Sequence, residues 1–282
     1  MKEKTNIIVK NNISIIDLLK ENGFAKNKVK TYVKLGFIYV NNKKITKLPY
    51  IINIGDIITI DENITTTNKF KIIYEDDNYL VVDKEAGLLT ISTSNQNKNN
   101  EITLYRLVRE YLNSKHEYAF IVNRIDKETS GLVIFVKNES LKEKLQSNWN
   151  NIVKKRGYIA VVSGRITKEG RIENYLYEDK LTFSHSTKVG GKLAITNYKP
   201  IKINDKYTML DVNIETGRKN QIRVHLTEMN HPIVGDKKYY SKDNSLKRLV
   251  LHHYEISLID PITSKLVTFK SNIPKEFYVL FN

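Results

Sequence analysis

Residues 123–136 read Asn123-Arg124-Ile125-Asp126-Lys127-Glu128-Thr129-Ser130-Gly131-Leu132-Val133-Ile134-Phe135-Val136. The closing five residues are a continuous apolar run. It is short and has no polar alternation, so it predicts a strand buried on both faces. The residues before it are polar and predict a tight turn. Gly131 stands at the junction, where it permits a backbone angle that other residues avoid. A strand fixes the position of such a turn, and the turn exposes its side chains. Asp126, beside Arg124, is therefore well placed to act as a nucleophile or base. The same residues also suit a plain structural turn, with Asp126, Thr129 and Ser130 serving the backbone.

Outward from this stretch the pattern mixes short strands with few helices. Tyr79–Asp83, Tyr158–Ser163 and Val250–Leu258 read as strands, and Met209–Glu215 alternates strictly, as a half-buried strand does. Helices are predicted over Glu101–Asn113 and Gln221–Met229, and a third from Leu141, Leu145 and Trp149 at i, i+4, i+8. Regular βαβ alternation is absent. The expected class is α+β with a mixed, largely antiparallel sheet.

The N-terminal part reads as a separate small unit. Ser14 caps a helix with Asp17 three residues on, and Gly23 ends it. A second helix carries Val29, Tyr32 and Val33 on one side and Lys26, Lys30 and Lys34 as a basic stripe, and Gly36 closes it. Strands Phe37–Val40 and Ile57–Ile60 follow, with an Asn41–Asn42 turn after the first. Residues 61–69 are polar and aperiodic, and Ser92–Asn100 is a polar loop. The expected organisation is a unit over 1–60, a linker over 61–69 and a main domain over 70–282.

Composition narrows the function classes. The 282 residues contain no Cys, which excludes disulfides, thiol nucleophiles and Cys-based metal sites. No apolar run approaches membrane-spanning length, and the first residues lack a signal-peptide core. The expected location is cytoplasmic, with no membrane partner. The net charge of +15 favours a polyanionic partner, most often nucleic acid, with a solvated Lys-rich surface as the bland alternative. Arg is scarce beside Lys and does not occur before Arg106. Each Arg is thus a candidate for the planar contacts that Lys cannot make.

A second stretch stands out: Glu215-Thr216-Gly217-Arg218-Lys219-Asn220-Gln221-Ile222-Arg223-Val224-His225. It runs from a strand through a Gly turn into a helix. Asn220 and Arg223 share a helix face, and Arg218 and Arg223 lie near a helix N-terminus, which favours anions. Surface Arg residues in minor ion pairs are the alternative reading.

Together these residues resemble the RluA-type RNA pseudouridine synthases. Asn123–Gly131 is similar to that family's H-R-L-D-x-x-T-S-G signature, and Glu215–Gly235 to its E-T-G-R-x-H-Q-I-R-x-H…H-P-I-x-G-D motif. Lys155–Gly164 resembles the strand with the family's essential Tyr, and Val81–Leu88 its K-P-A-G-L segment. Ala194–Tyr198 and Leu251–Pro261 resemble later elements. Residues 13–60 resemble the αL RNA-binding motif. The resemblance implies a catalytic domain of the pseudouridine synthase type with a small N-terminal αL domain. It implies cofactor-free and metal-free isomerisation of uridine in RNA, ribosomal RNA first and transfer RNA as the other option, by a monomer.

Carried over residue by residue, the resemblance makes Asp126 the nucleophile or base. Tyr158 stacks on the target base and takes part in proton transfer at carbon 5. Arg223 pairs with Asp126. Arg124 helps hold the everted nucleotide, and Arg218, Asn123, Asn220, Lys26, Lys30 and Lys34 are RNA-binding candidates. Three residues depart from the pattern: Asn123 and Asn220 replace His, and Glu85 replaces Pro. The two Asn substitutions motivate a competing reading, a non-catalytic RNA-binding or ribosome-assembly factor on the same scaffold. A hydrolase acting on a glycosidic bond ranks last, because Asp126 has no evident acidic partner.

Overall fold

The structure is a computed structural model that describes residues 5–35, 37–45, 47–60, 70–92, 102–179, 184–187, 190–239, 241–243 and 245–282, without the side chains of 31, 34 and 35. The expected linker over 61–69, most of the loop Ser92–Asn100, the helix closure at Gly36, the helix start at Glu101 and the side chain of Lys34 lie outside these residues. The chain divides into two units, Met1–Asn68 with Ser92–Ile102, and Lys69–Ile91 with Thr103–Asn282.

The first unit contains β1 (Thr5–Ile8), β2 (Ile13–Ser14), α1 (Ile15–Glu21), α2 (Lys26–Leu35), β3 (Ile38–Val40), β4 (Lys43–Lys44), β5 (Ile51–Ile52) and β6 (Ile57–Ile60). Ser14 caps α1 through the Asp17 amide (3.2 Å), and its hydroxyl donates to the Asp17 carboxylate (2.6 Å). Asn41 and Asn42 both have positive φ, which matches the two-residue turns that join twisted strands. The four-stranded antiparallel sheet runs β1-β6-β3-β4. Ile15, Leu19, Val29, Val33, Ile38 and Ile58 fill the core beneath the two helices.

The second unit contains β7 (Phe70–Glu75), β8 (Tyr79–Lys84), α3 (Leu104–Asn113), β9 (Phe120–Ile121), β10 (Ser130–Val136), α4 (Glu139–Ser147), α5 (Trp149–Ile152) and β11 (Val153–Ser163). It continues through β12 (Gly170–Glu178), β13 (Ser184–Thr187), β14 (Lys192–Ile203), β15 (Tyr207–Ile214), α6 (Gln221–Glu228), β16 (Leu251–Ile259), β17 (Leu266–Lys270) and α7 (Glu276–Val279). Its eleven-stranded sheet has the order β13-β12-β14-β15-β11-β16-β10-β8-β7, with β17 beside β16 and β9 beside β10. Among the strands of the described residues the β10–β16 pair alone is parallel, over two residue pairs. The class is therefore α+β with a mixed, largely antiparallel sheet. Among the described residues no helix is long and apolar enough to cross a membrane.

Two of the differences from the sequence reading bear on the main sheet and its helices. The stripe Leu141–Leu145–Trp149 does not lie on one helix: Asn148 breaks it, and Trp149 begins the short α5. The long β12–β13–β14 meander was not read as strands. Its outer parts are solvated on one face and its apolar residues are sparse, so the alternation is weak.

Every residue of β10 is buried. At its start Gly131 adopts φ +118° and crosses the His253 backbone of β16. A Cβ at Gly131 would stand 2.3 Å from the His253 carbonyl oxygen and 2.6 Å from its nitrogen. Backbone cannot yield as a side-chain tip does. Gly131→Ala is expected to destabilise the protein by about 2–4 kcal/mol in denaturant unfolding, combining backbone strain with overpacking. At Gly87 (φ +82°) a Cβ would meet nothing within 4 Å, so Gly87→Ala is expected to lose only about 1–2 kcal/mol. Equal losses in the two variants would contradict the crossing argument.

Candidate active site

The Asp126 turn is held largely through its backbone, which leaves the Asp126 carboxylate part-exposed. Three consecutive carbonyls accept hydrogen bonds. Ile125 O receives Thr90 Oγ1–H (2.6 Å), Asp126 O receives the Thr129 amide (3.2 Å), and Lys127 O receives the Gly87 amide (2.8 Å) and Lys84 Nζ (3.0 Å). Lys84 is fully buried at the end of β8. It also donates to Glu85 O (2.8 Å) and Leu88 O (2.7 Å), so one ammonium ties the 85–88 turn to the Asp126 turn. Burial pulls its pKa down to about 7. At the far end Ser130 Oγ accepts from Arg248 Nη2 (2.5 Å) and contacts His252 Nδ1 (2.8 Å). Asn123 Oδ1 accepts the Ile134 amide (2.7 Å), so this side chain braces β10 from within the fold.

The second stretch forms the opposite wall. Gln221 satisfies all of its polar valences there. Its Oε1 accepts from Thr216 Oγ1 (2.8 Å) and the Arg218 amide (3.0 Å), and its Nε2 donates to Ile195 O and Thr196 Oγ1, both at 2.9 Å. Asn220 sits just before α6 at φ 55°, a left-handed conformation in which Asn is enriched. His225, buried and kept neutral with a pKa near 4 by that burial, bridges α6 to Thr196 (2.9 Å) and Asn174 (2.8 Å). The α6 start is thus fixed on the sheet.

Arg223 projects from this helix. The expected Arg223–Asp126 pair is present as a long ion pair, and Arg223 has a second, closer partner. The close partner is Asp236, with Nε–Oδ2 at 2.8 Å and Nη2–Oδ1 at 2.7 Å, while Nη1 lies 3.9 Å from Asp126 Oδ2. Nη1 also donates to Asn220 Oδ1 (2.9 Å), and the guanidinium lies over the Tyr239 ring at 5.2 Å. Asn220, expected as an RNA contact, is buried and orients Arg223 instead. Asp236 has no exposed side-chain surface, and it also accepts from the Lys238 and Tyr239 amides. The sequence reading gives it no role, although it directly follows the Glu215–Gly235 stretch; Lys84 and Gln221 likewise have none there.

Asp126 keeps 30% of its side-chain surface open to solvent while protein encloses the rest. That enclosure raises its pKa above the usual carboxylate value. Arg223, Lys238, Arg124 and Lys219, in that order, oppose the rise. Tyr158 on β11 is buried, and burial pushes its phenol well above the usual value, against the pull of Arg156 and reinforced by Asp126. One face of its ring stacks on His253, with centroids 4.4 Å apart and planes 16° apart. Arg124 is exposed, and Arg218 Nε donates to Leu193 O (2.8 Å). Lys26 is exposed and Lys30 half-buried on α2 of the first unit. The arrangement gathers a partly accessible carboxylate, a buried aromatic ring and several cations, a set suited to an anionic, planar-ringed substrate.

Comparison with known proteins agrees with this chemistry. A family model described as RNA pseudouridylate synthase matches residues 78–228. An uncharacterized RNA pseudouridine synthase of Helicobacter pylori is 40% identical over 162 residues, which cover 56% of this chain and 64% of that protein. A ribosomal large subunit pseudouridine synthase D of Neisseria meningitidis is 30% identical over 282 residues, covering 92% of this chain and 75% of that one. Among solved structures, human RNA pseudouridylate synthase domain containing 4 superposes with a TM-score of 0.60 at 19% identity, over 73% of this chain and 89% of the human one. At that identity the structural likeness speaks for the fold alone.

The electrostatics are open to direct test. In carbon NMR the Asp126 carboxyl is expected to titrate above the ordinary Asp value of about 3.9. Arg223→Gln removes the strongest opposing charge and is expected to move it higher still. A carboxyl that titrates at or below the ordinary value, or that ignores the substitution, would contradict this account.

Proposed function

Since the chain belongs to the RNA pseudouridylate synthase family, we propose that it isomerises specific uridines of large-subunit ribosomal RNA, without a cofactor, with Asp126 as the attacking group. What carries the reading is Asp126 itself: a part-exposed carboxylate in a turn locked at three successive carbonyls, ringed by cations and beside a buried Tyr. The name of the Neisseria relative supplies the substrate class.

In the proposed reaction the target uridine is turned out of its RNA helix into the cleft. Eversion costs a few kcal/mol, which stacking and phosphate contacts must offset. Arg124, Arg218, Lys219 and Lys238 are the cations for those contacts. The ionised Asp126 carboxylate attacks the bound nucleotide, and the bond from N1 to C1′ breaks. The base turns, C5 bonds to C1′ and the bond to Asp126 breaks, which frees the carboxylate; the C5 proton leaves and N1 takes up a proton in its place, so no atom is gained or lost overall. Tyr158 stays protonated at neutral pH, because burial raises its pKa. It therefore serves as a stacking surface and a proton relay, and a separate acceptor takes the proton away. Arg223 holds Asp126 ionised without bonding to it closely.

The reading of Asn123 and Asn220 as marks of a disabled enzyme loses its motive, since both have structural tasks that Asn performs: bracing β10 and orienting Arg223. The first unit is proposed as a second RNA contact, through Lys26, Lys30 and Lys34.

Purified protein is expected to form pseudouridine at discrete positions of unmodified ribosomal RNA, read by chemical mapping. Asp126→Asn is expected to lose at least about 10³-fold in rate, as removal of a nucleophile does, while keeping RNA affinity. Undiminished activity in that variant would remove Asp126 from the chemistry. No product from the parent protein in ribosomal RNA would favour a transfer RNA substrate or the binding-factor reading. Replacing Lys26, Lys30 and Lys34 together by Gln is expected to weaken RNA binding and flatten its salt dependence by about 0.7 for each phosphate no longer neutralised. The rate at saturating RNA is expected to hold, and unchanged affinity would mean that these lysines face elsewhere.

A further inference from the structure

Tyr158 has two ring faces, and one is already covered. The His253 imidazole lies nearly parallel to it, 4.4 Å between centroids and 16° between planes. This is a stacked contact rather than the edge-on contact common in protein cores. The same imidazole donates its Nδ1–H to Leu132 O on β10 (2.8 Å); because a carbonyl can only accept, the proton is on Nδ1. Leu132 follows Gly131, the residue whose missing Cβ lets β10 cross the His253 backbone. Through β10 this contact reaches the strand that begins four residues after Asp126. A single side chain therefore touches the ring of Tyr158 and the strand that carries the Asp126 turn.

The pair is also electrically quiet. His253 is buried, and that burial lowers its pKa to about 4, so it is uncharged at neutral pH. An uncharged ring can lie against a protonated phenol without an ion-pair demand on either group. Neither the proposed attack nor the phosphate contacts use His253. An alanine would leave the stacked face of Tyr158 open and Leu132 O without its donor.

We propose that His253 is a positioning residue: its ring backs Tyr158 and its Nδ1–H bond sets that ring against the Asp126 turn, leaving only the opposite ring face for the target base. This rests on the reading of Asp126 and Tyr158 given above. Tyr158 is then the middle layer of a stack that the everted uracil completes.

Three substitutions separate stacking from space filling. Leu supplies bulk without a plane or a donor, Phe supplies the plane alone, and Asn supplies a donor alone. At saturating RNA, His253→Leu is expected to lower the single-turnover rate by about 10- to 100-fold, the scale of a small misplacement in an active site, with RNA affinity held within roughly 3-fold. His253→Phe is expected to recover most of that loss, and His253→Asn little of it. Leu as fast as the parent protein would overturn the proposal. So would Phe no faster than Leu when circular dichroism shows both folded. Should the Leu variant not fold, Phe against Asn makes the same comparison, and equal rates there would overturn it. If the parent protein forms no pseudouridine in any RNA offered, the functional reading has failed instead. An active parent with indifferent variants condemns the His253 proposal alone.

Discussion

The Arg223–Asp236 pair is the interaction around which the site is organised. Both side chains are almost wholly withdrawn from solvent, and they meet through two parallel hydrogen bonds of 2.8 and 2.7 Å. Burying two charges is costly, and the attraction repays it only when geometry is good and the remaining valences are met. Here they are met. Asp236 also takes two backbone amides, and Arg223 gives Nη1 to Asn220 and its face to Tyr239. A planar fork can be held on one edge while its other edge acts elsewhere, which a lysine cannot do. The edge left over points toward Asp126 at 3.9 Å. That distance is long for a hydrogen bond and short for a charge, so Arg223 eases ionisation of Asp126 without engaging its oxygens tightly.

The opposite wall obeys a different constraint. The Asp126 turn is fixed through carbonyls, by Thr90, Thr129, Gly87 and Lys84, and through Ser130 by Arg248. The strand behind it crosses β16 so closely that position 131 accepts no side chain. The rigid parts are backbone and buried strand, and the reactive side chain is what remains exposed. This division suits a catalyst that must hold one carboxylate still while a large polyanion arrives and leaves.

Much of this arrangement was legible in the sequence because it is local. Turn, glycine and apolar strand follow one another in residues 123–136, and the Asn220–Arg223 spacing puts two side chains on one helix face. What escaped is tertiary. Asp236 lies thirteen residues beyond Arg223. A carboxylate after a Gly reads as a turn residue until the fold brings it back beneath the helix. Lys84 reads as a surface lysine because lysine is rarely buried; only the fold shows three carbonyls converging on it. The sequence reading pairs Arg223 with Asp126, which the fold keeps as the longer of two ion pairs, and it gives no sign of the closer one to Asp236. Asn123 and Asn220 stand out in the sequence only as replacements of His, whereas the fold uses one as an acceptor for a strand amide and the other for a left-handed backbone angle. The β12–β14 meander escaped because strands solvated on one face at the sheet margin carry little apolar signal.

The most direct test of the central claim is a structure of the Asp126→Asn protein bound to a stem–loop that carries a mapped target uridine. The account predicts an everted nucleotide, its base against the face of Tyr158 opposite His253. It also predicts that the side chain at position 126 lies about 3–3.5 Å from the nucleotide atom it attacks in the native enzyme, with Arg223 still forked on Asp236. A uridine that remains stacked in its helix, or one whose base and sugar stand well away from position 126, would contradict it.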